Sequence, residues 1–198
     1  MKHTSKPLEP VDPPVNSIEL AEWLRLDDNS DPVLDRVLIM ATASVIEYLQ
    51  RELITRSRLL TFKEWPECGT KTSGLSRETA TLAQTVELPY SYSAEILGVT
   101  VYGQVFTDYK LHNELAPCVL EFCDIPYQFE NCDDDAIQIQ YDAGYGDYNL
   151  VPEQIKSAIL MLAGYIYDKR GSCDMPSAIQ DSGASQMLTP YMNHVITV

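Results

Sequence analysis

The sequence predicts an α+β protein, in which a helical bundle carries an inserted small antiparallel β-sheet. Segments 18–26, 32–53 and 152–170 place apolar residues at helical spacing. The intervening segment, about 54–142, holds short runs of β-branched and aromatic residues separated by Gly and Pro, which is typical of strands joined by turns. A length of 198 residues fits one domain with an elaborated insertion.

The N-terminal region predicts an arm followed by two helices. Residues 1–16 contain four prolines and few large apolar side chains, so we expect an extended arm with no fold of its own. Ser17 is a candidate cap for the first helix, and Asp31 followed by Pro32 is a typical start for the second. The second helix has an apolar stripe and three further apolar residues off it, which indicate a second buried side: Ile39, Met40 and Ile46.

The middle of the chain changes from helical to strand periodicity. Residues 54–62, ITRSRLLTF, alternate around Arg56 and Arg58 and predict a strand. The polar stretch 67–85 predicts a functional or mobile loop. The runs VELPYSYSAEI, GVTVYGQVFT, YKLH and CVLEF then predict a small antiparallel sheet.

Residues 136–171 predict a strand, a turn and a long helix. Ile137, Ile139 and Tyr141 alternate with polar residues, and Gly144 and Gly146 suit a tight reversal. The helix that follows has one apolar stripe for its own core. It also carries a second apolar strip, which predicts packing on two sides: Leu160, Met161, Tyr165 and Tyr167.

The C-terminal region predicts a linker at 172–183, a short helix at about 185–194 and an apolar tail. An exposed apolar tail is unfavourable in water, so this segment either folds back or docks on a partner. The tail residues are Met187, Leu188, Tyr191, Met192, Val195 and Ile196.

Charge and motifs disfavour several functions. The net charge is −15, and residues 112–154 contain ten acids and no Lys or Arg, so ordinary nucleic-acid binding is disfavoured. Asp133, Asp134 and Asp135 lack the spacing of a calcium loop and predict a solvated turn. The five cysteines form no CxxC pair, and the three histidines lie far apart, so we expect no metal site, no cofactor and no disulfide framework. No nucleophile or nucleotide-binding motif occurs, although acid pairs for catalysis stay possible.

Taken together, the early helices, the β insertion, the block IQIQYDAGYGDYNLVPEQIKSAILMLAGYIYDKRG and a late LTPY resemble the head-to-tail connector proteins of tailed bacteriophages. These proteins are also called adaptors or head-completion proteins. The resemblance covers about residues 17–192, and its most specific part is the strand, AGYG turn, VP and helix. It implies a non-enzymatic protein of the virion neck, made in the bacterial cytoplasm.

The resemblance further implies a ring, typically of twelve copies, that joins the portal to a stopper or tail and lets double-stranded DNA pass. It assigns the off-stripe apolar residues of both helices to subunit contacts and the C-terminal tail to portal docking. It also suggests that Asp133, Asp134 and Asp135 line the channel. Two alternatives stay open: another neck or tail-completion component, and an acidic metal-dependent enzyme using carboxylates around 133–142.

Overall fold

The computed structural model describes residues 3–26, 31–65, 67–68, 81–82, 85–123, 135–169 and 175–192. The chain divides into two compact units, and each unit consists of two separate segments of the chain. The sheet unit comprises Met1–Glu9 and Arg56–Ala143, and the helical unit comprises Pro10–Thr55 and Gly144–Val198. The described residues contain five α-helices and antiparallel sheets, which confirms the predicted α+β class.

The main sheet of the sheet unit has the strand order β1-β2-β10-β6-β7 and is antiparallel throughout. Its strands are β1 His3–Pro7, β2 Arg56–Phe62, β6 Ala94–Val101, β7 Gln104–Val105 and β10 Ile137–Ala143. Strand β10 is central, and its alternating residues Ile137, Ile139 and Tyr141 are fully buried. The period-2 pattern predicted from the sequence is therefore confirmed for this strand.

The other strands form two smaller sheets. Strands β5 Thr85–Glu87, β9 Val119–Phe122 and β8 Tyr109–His112 pair in that order, and β3 Glu67–Cys68 pairs with β4 Thr81–Leu82. The three-stranded sheet shares one hydrophobic core with the main sheet, in which Trp65 meets Phe122 edge-on at 5.2 Å between ring centroids. Residues 69–80 of the predicted mobile loop lie outside the described residues.

Strand β1 corrects the prediction that residues 1–16 have no fold of their own. Residues His3–Pro7 pair with β2 at the sheet edge, where Pro7 is tolerated because it ends the strand. Strand β1 and Glu9, which follows it, accept hydrogen bonds from two buried arginines of β2. Arg58 donates from Nε to Ser5 Oγ at 3.2 Å, and Arg56 donates from Nη1 to the Glu9 carbonyl at 3.3 Å. These polar contacts, together with the Tyr90 ring 4.0 Å from Arg58 Cζ, allow guanidinium groups to lie on the buried face.

Strand β6 corrects a second prediction. Gly98 does not separate two strands but lies inside β6, where the register with β10 shifts by one residue between Gln140 and Tyr141. A β-bulge places one extra residue in β6 and turns Leu97 outward, where its side chain is 49% exposed.

The helical unit is built from α1 Ser17–Leu24, α2 Val33–Leu49, α3 Glu153–Asp168, α4 Met175–Asp181 and α5 Ala184–Leu188. Helix α3 packs against α1, α2, α4 and α5. Its predicted stripe is buried: Ile155, Ala158, Ile159, Leu162, Ala163 and Ile166. Gly164 allows α1 to approach closely, because a Cβ there would lie 3.2 Å from Leu24 Cδ2.

The helix ends differ from the predicted bounds. Asn16, not Ser17, caps α1, since its side chain accepts from the Glu19 N–H while Glu19 accepts from the Asn16 N–H, forming a capping box. Helix α2 ends at Leu49 rather than near residue 53, because Gln50 adopts a left-handed conformation with φ 53°. The predicted linker 172–183 contains α4, so the C-terminal region is more helical than the sequence indicated.

Gly144 and Gly146 join β10 to the helical unit in the turn predicted from the sequence. Gly144 has φ +147°, and a Cβ on it would lie 2.6 Å from the Thr55 backbone nitrogen. Two backbone hydrogen bonds fix this approach: Tyr145 N–H to the Leu53 carbonyl at 3.0 Å and Thr55 N–H to the Gly146 carbonyl at 2.9 Å. The turn therefore needs glycine at residue 144 for both conformation and space.

We expect Gly144→Ala to lower the free energy of unfolding by at least about 2 kcal/mol, because the new Cβ meets backbone atoms and the φ value strains an L-residue. Gly98→Ala is the matched control, since nothing lies within 4 Å of its Cβ position. Urea unfolding followed by circular dichroism measures both. Equal midpoints for the two variants would show that the turn adapts to a side chain.

Candidate assembly surfaces

The second apolar strip of α3 is partly covered by the chain itself. Its residues Leu160, Met161, Tyr165 and Tyr167 are half-buried. Met161 Cε lies 3.4 Å from the position that a Cβ on Gly183 would occupy, and Tyr165 Oη donates to Asp181 at 3.3 Å. Contacts within the same chain therefore provide part of the second packing side that the sequence predicts for α3.

The three off-stripe apolar residues of α2 differ in their exposure to solvent. Ile46 is 5% exposed and belongs to the core of the unit, so its assignment to a subunit contact is wrong. Ile39 and Met40 are 46% and 45% exposed. These two side chains thus form an apolar surface that the described chain does not cover.

The predicted docking tail begins with residues that fold back onto the helical unit. Leu188 is fully buried, which removes it as a docking residue. Met187, Tyr191 and Met192 are half-buried, and Tyr191 Oη donates to Gln154 Oε1 on α3 at 2.7 Å. Val195 and Ile196 lie outside the described residues.

The acidic segment predicted to face a channel is described only at its end. Asp133 and Asp134 lie outside the described residues. Asp135 is half-buried and accepts a hydrogen bond from Gln138 Nε2 at 3.1 Å, which holds it at the start of β10.

A groove in the helical unit was not predicted from the sequence. Its volume is about 290 Å³, which is at the small end of ligand pockets and suits one or two side chains better than a cofactor. Pro14 and Val15 are buried, whereas the acidic residues of the lining are exposed. The lining consists of Asp12, Pro13, Pro14, Val15, Asn16, Glu19, Ile54, Asp147 and Tyr148. Residues 12–19, 54 and 147–148 are far apart in the chain, so no local pattern marks the groove.

The β8–β9 hairpin holds a histidine between two carboxylates. His112 Nε2 lies 2.7 Å from Glu121 Oε2, and Nδ1 lies 2.9 Å from Glu114 Oε1. Both ring nitrogens can donate only in the imidazolium form. The hydrogen bonds to Glu121 and then Glu114 accordingly raise the pKa of His112. The pKa of Glu114 is lowered by its own backbone N–H and by His112.

In the described ranges, no group of three or more His, Cys, Asp or Glu side chains is placed to hold a metal ion. Among the same residues, no helix is both long and apolar enough to cross a membrane.

Solved structures of similar fold come from gene transfer agent (GTA) particles. A chain in the neck of an empty GTA particle, computed with C6 symmetry, matches with a TM-score of 0.71 and 16% identity over 98% of both chains. A chain of the native GTA virion matches with a TM-score of 0.69 and 16% identity, again over 98% of each. The neck of the native particle, computed with C12 symmetry, gives 0.67 and 17% over the same share.

The similarity extends over the entire fold, and at this identity it establishes the fold alone. It agrees with the connector resemblance found in the sequence. No model of a protein family matches the chain, and no curated protein sequence matches it significantly.

We expect Leu188→Ala to lower the free energy of unfolding by about 2–5 kcal/mol, because it leaves a cavity under a fully buried side chain. Met187→Ala, next to it and half-buried, is the control and should cost about 1 kcal/mol or less. Thermal unfolding of both variants tests this. If Leu188→Ala is as stable as Met187→Ala, the C-terminal helices are not anchored as described.

We expect His112 to stabilise the hairpin at acidic pH. Its folded pKa is raised above the ordinary value of about 6.5, so this stabilisation is complete below the unfolded pKa and is lost as pH rises through the folded pKa. The melting-temperature difference between the native chain and His112→Gln should therefore shrink from about pH 5.5 to about pH 8.5. Glu114 and Glu121 favour the charged ring and Lys110 opposes it. A difference that does not change with pH would show that the ring is not protonated there.

Proposed function

We propose that this chain is a structural component of the neck of a phage-like virion, where it forms a ring between the portal and the stopper or tail. The observation that carries the proposal is the match of its fold to neck chains over 98% of both proteins. The similar necks were computed with C6 and C12 symmetry, which supports an oligomer of twelve copies or a related number. The same likeness supports a structural, non-enzymatic role.

The surface chemistry supports a subunit that assembles with its own copies. Ile39, Met40, Tyr148 and Leu150 expose large apolar area on the helical unit. Such area is costly in water and is commonly covered by another protein. The four side chains of the second α3 strip are half-buried, so part of each is also accessible for contacts with a neighbour.

The net charge of −15 supports passage of DNA without adhesion. A duplex that crosses a ring meets repulsion from acidic walls, which lowers non-specific binding to the protein. In this proposal the acids near Asp135 face the channel, and the portal and the next neck protein are the lasting partners.

Portal docking is proposed for the end of the chain, beyond the residues that fold back. Leu188 and Tyr191 anchor the segment to the helical unit, so docking is assigned to residues after Met192 together with the exposed side of Met187. The anchored part gives the docking segment a fixed starting point.

Imaging of the protein mixed with the assembled portal of the same particle tests the proposal. We expect a ring coaxial with the portal for the full chain, and weaker or absent binding for a chain that ends at Met192. This truncation keeps Leu188 and Tyr191, so its melting temperature should match that of the full chain.

A chain that ends at Gln186 is the contrasting control, because it loses the buried Leu188 and should be less stable. Equal portal binding by the full chain and the chain ending at Met192 would remove the docking role of the tail. Failure of the full chain to bind portal at any concentration would contradict the neck function.

A further inference from the structure

The helical unit carries two exposed surfaces of opposite chemistry. The first is the groove described above, here called the acidic groove. The second, here called the α2 ridge, consists of Arg36, Ile39, Met40 and Ala43. Both belong to one compact unit but to different elements, so one copy presents both surfaces.

The acidic groove combines an apolar floor with an anionic rim. Pro14 and Val15 are buried at its floor, and Tyr148 at its edge is 57% exposed. Asp12, Glu19 and Asp147 are exposed, and its lining contains no Lys or Arg. A ligand that fits must therefore offer apolar side chains together with a positive charge.

The α2 ridge offers that chemistry. Positions 36, 40 and 43 follow the i, i+4, i+7 spacing of one helix face, and Ile39 flanks it. Arg36, Ile39 and Met40 are exposed, and the face spans about 10 Å along the helix at ~1.5 Å per residue. Arg36 therefore matches the acidic rim of the groove, and Ile39 and Met40 match its apolar floor.

We propose that the acidic groove of one copy receives the α2 ridge of a second copy, with Arg36 placed against the carboxylates of Asp12 and Asp147. The inference rests on the ring proposed above and names the surfaces that would build it. Charge favours this occupant over most of the chain's own surface. With 29 acids against 14 Lys and Arg, an average patch of a second copy would be repelled by the groove.

The pairing has the symmetry that a ring requires. A contact between two different patches is heterologous, and it generates a closed ring when the rotation closes. A self-complementary patch would stop at a dimer. Because every copy carries one groove and one ridge, each copy can bind two neighbours.

Charge reversal on each surface tests the pairing. Arg36→Glu alters only the ridge, and Asp147→Lys alters only the groove. Asp147 makes no side-chain cap to the short 3₁₀ turn that follows it, so its replacement leaves that turn intact. Each variant alone should assemble only at a protein concentration at least about tenfold higher than the native chain, measured by mass photometry and sedimentation velocity.

Mixing the two variants should restore assembly to near the native concentration. In a mixed ring, the native ridge of the Asp147→Lys variant meets the native groove of the Arg36→Glu variant. At the next interface the two altered surfaces meet, and their reversed charges attract each other. The double variant Arg36→Glu/Asp147→Lys should be restored in the same way. Glu22→Lys and Lys169→Glu make equal charge changes at exposed sites outside both surfaces and should assemble like the native chain.

Three results would overturn the pairing. Single variants that assemble like the native chain would leave the ring in place but built from other surfaces. Single variants that fail and are not rescued by mixing would show that charge complementarity between groove and ridge is not the cause. A native chain that forms no oligomer alone or on portal would instead remove the proposed ring itself.

Discussion

The close approach of residues 53–55 and 144–146 is the constraint on which the rest of the structure depends. The chain leaves the helical unit after Thr55 and returns to it at Gly144. Two backbone hydrogen bonds join the departing and returning segments, and Gly144 leaves no room for a side chain between them. The two ends of the sheet unit are therefore held side by side, and the loop-closure cost of inserting it is small. The same approach lets β2 and β10 pair from their first and last residues, Arg56 with Ala143.

Some large apolar residues of the helical unit are buried within the chain, whereas others are exposed on its surface. In the second α3 strip, Met161 and Tyr165 contact the α4–α5 region and Tyr167 donates to Asp31, while Ile46 of α2 joins the core. Six large apolar side chains among the described residues of the helical unit remain about half exposed: Ile18 and Trp23 on α1, Ile39 and Met40 on α2, and Tyr148 and Leu150 after β10. These residues are candidates for contacts between copies. The ring proposed above would cover part of this surface.

The arginines are likewise divided between buried and exposed positions. Arg56 and Arg58 are buried within the sheet unit, where backbone, hydroxyl and aromatic groups receive them. They therefore contribute little to surface recognition, which makes an exposed cation such as Arg36 more informative on an acidic protein. The hairpin around His112 is a separate, local feature of the sheet unit. Its carboxylates raise the pKa of His112, and it takes no part in either proposed assembly surface.

The sequence by itself determined the α+β class, the core stripes of α2 and α3, the alternation in β2 and β10 and the glycine turn, because each depends on local periodicity or on a residue's own conformational limits. Its resemblance to connector proteins agrees with the fold of the similar neck chains. Only the tertiary structure decided where the remaining apolar residues go. Leu188 and Ile46 are buried, and Ile39 and Met40 are not, although all four are large apolar residues in helices. Strand β1 and the acidic groove were likewise outside the reach of the sequence, since each joins segments far apart in the chain. Periodicity specifies that a helix face is apolar. Whether that face packs against its own chain or against a partner depends on which segments meet in space.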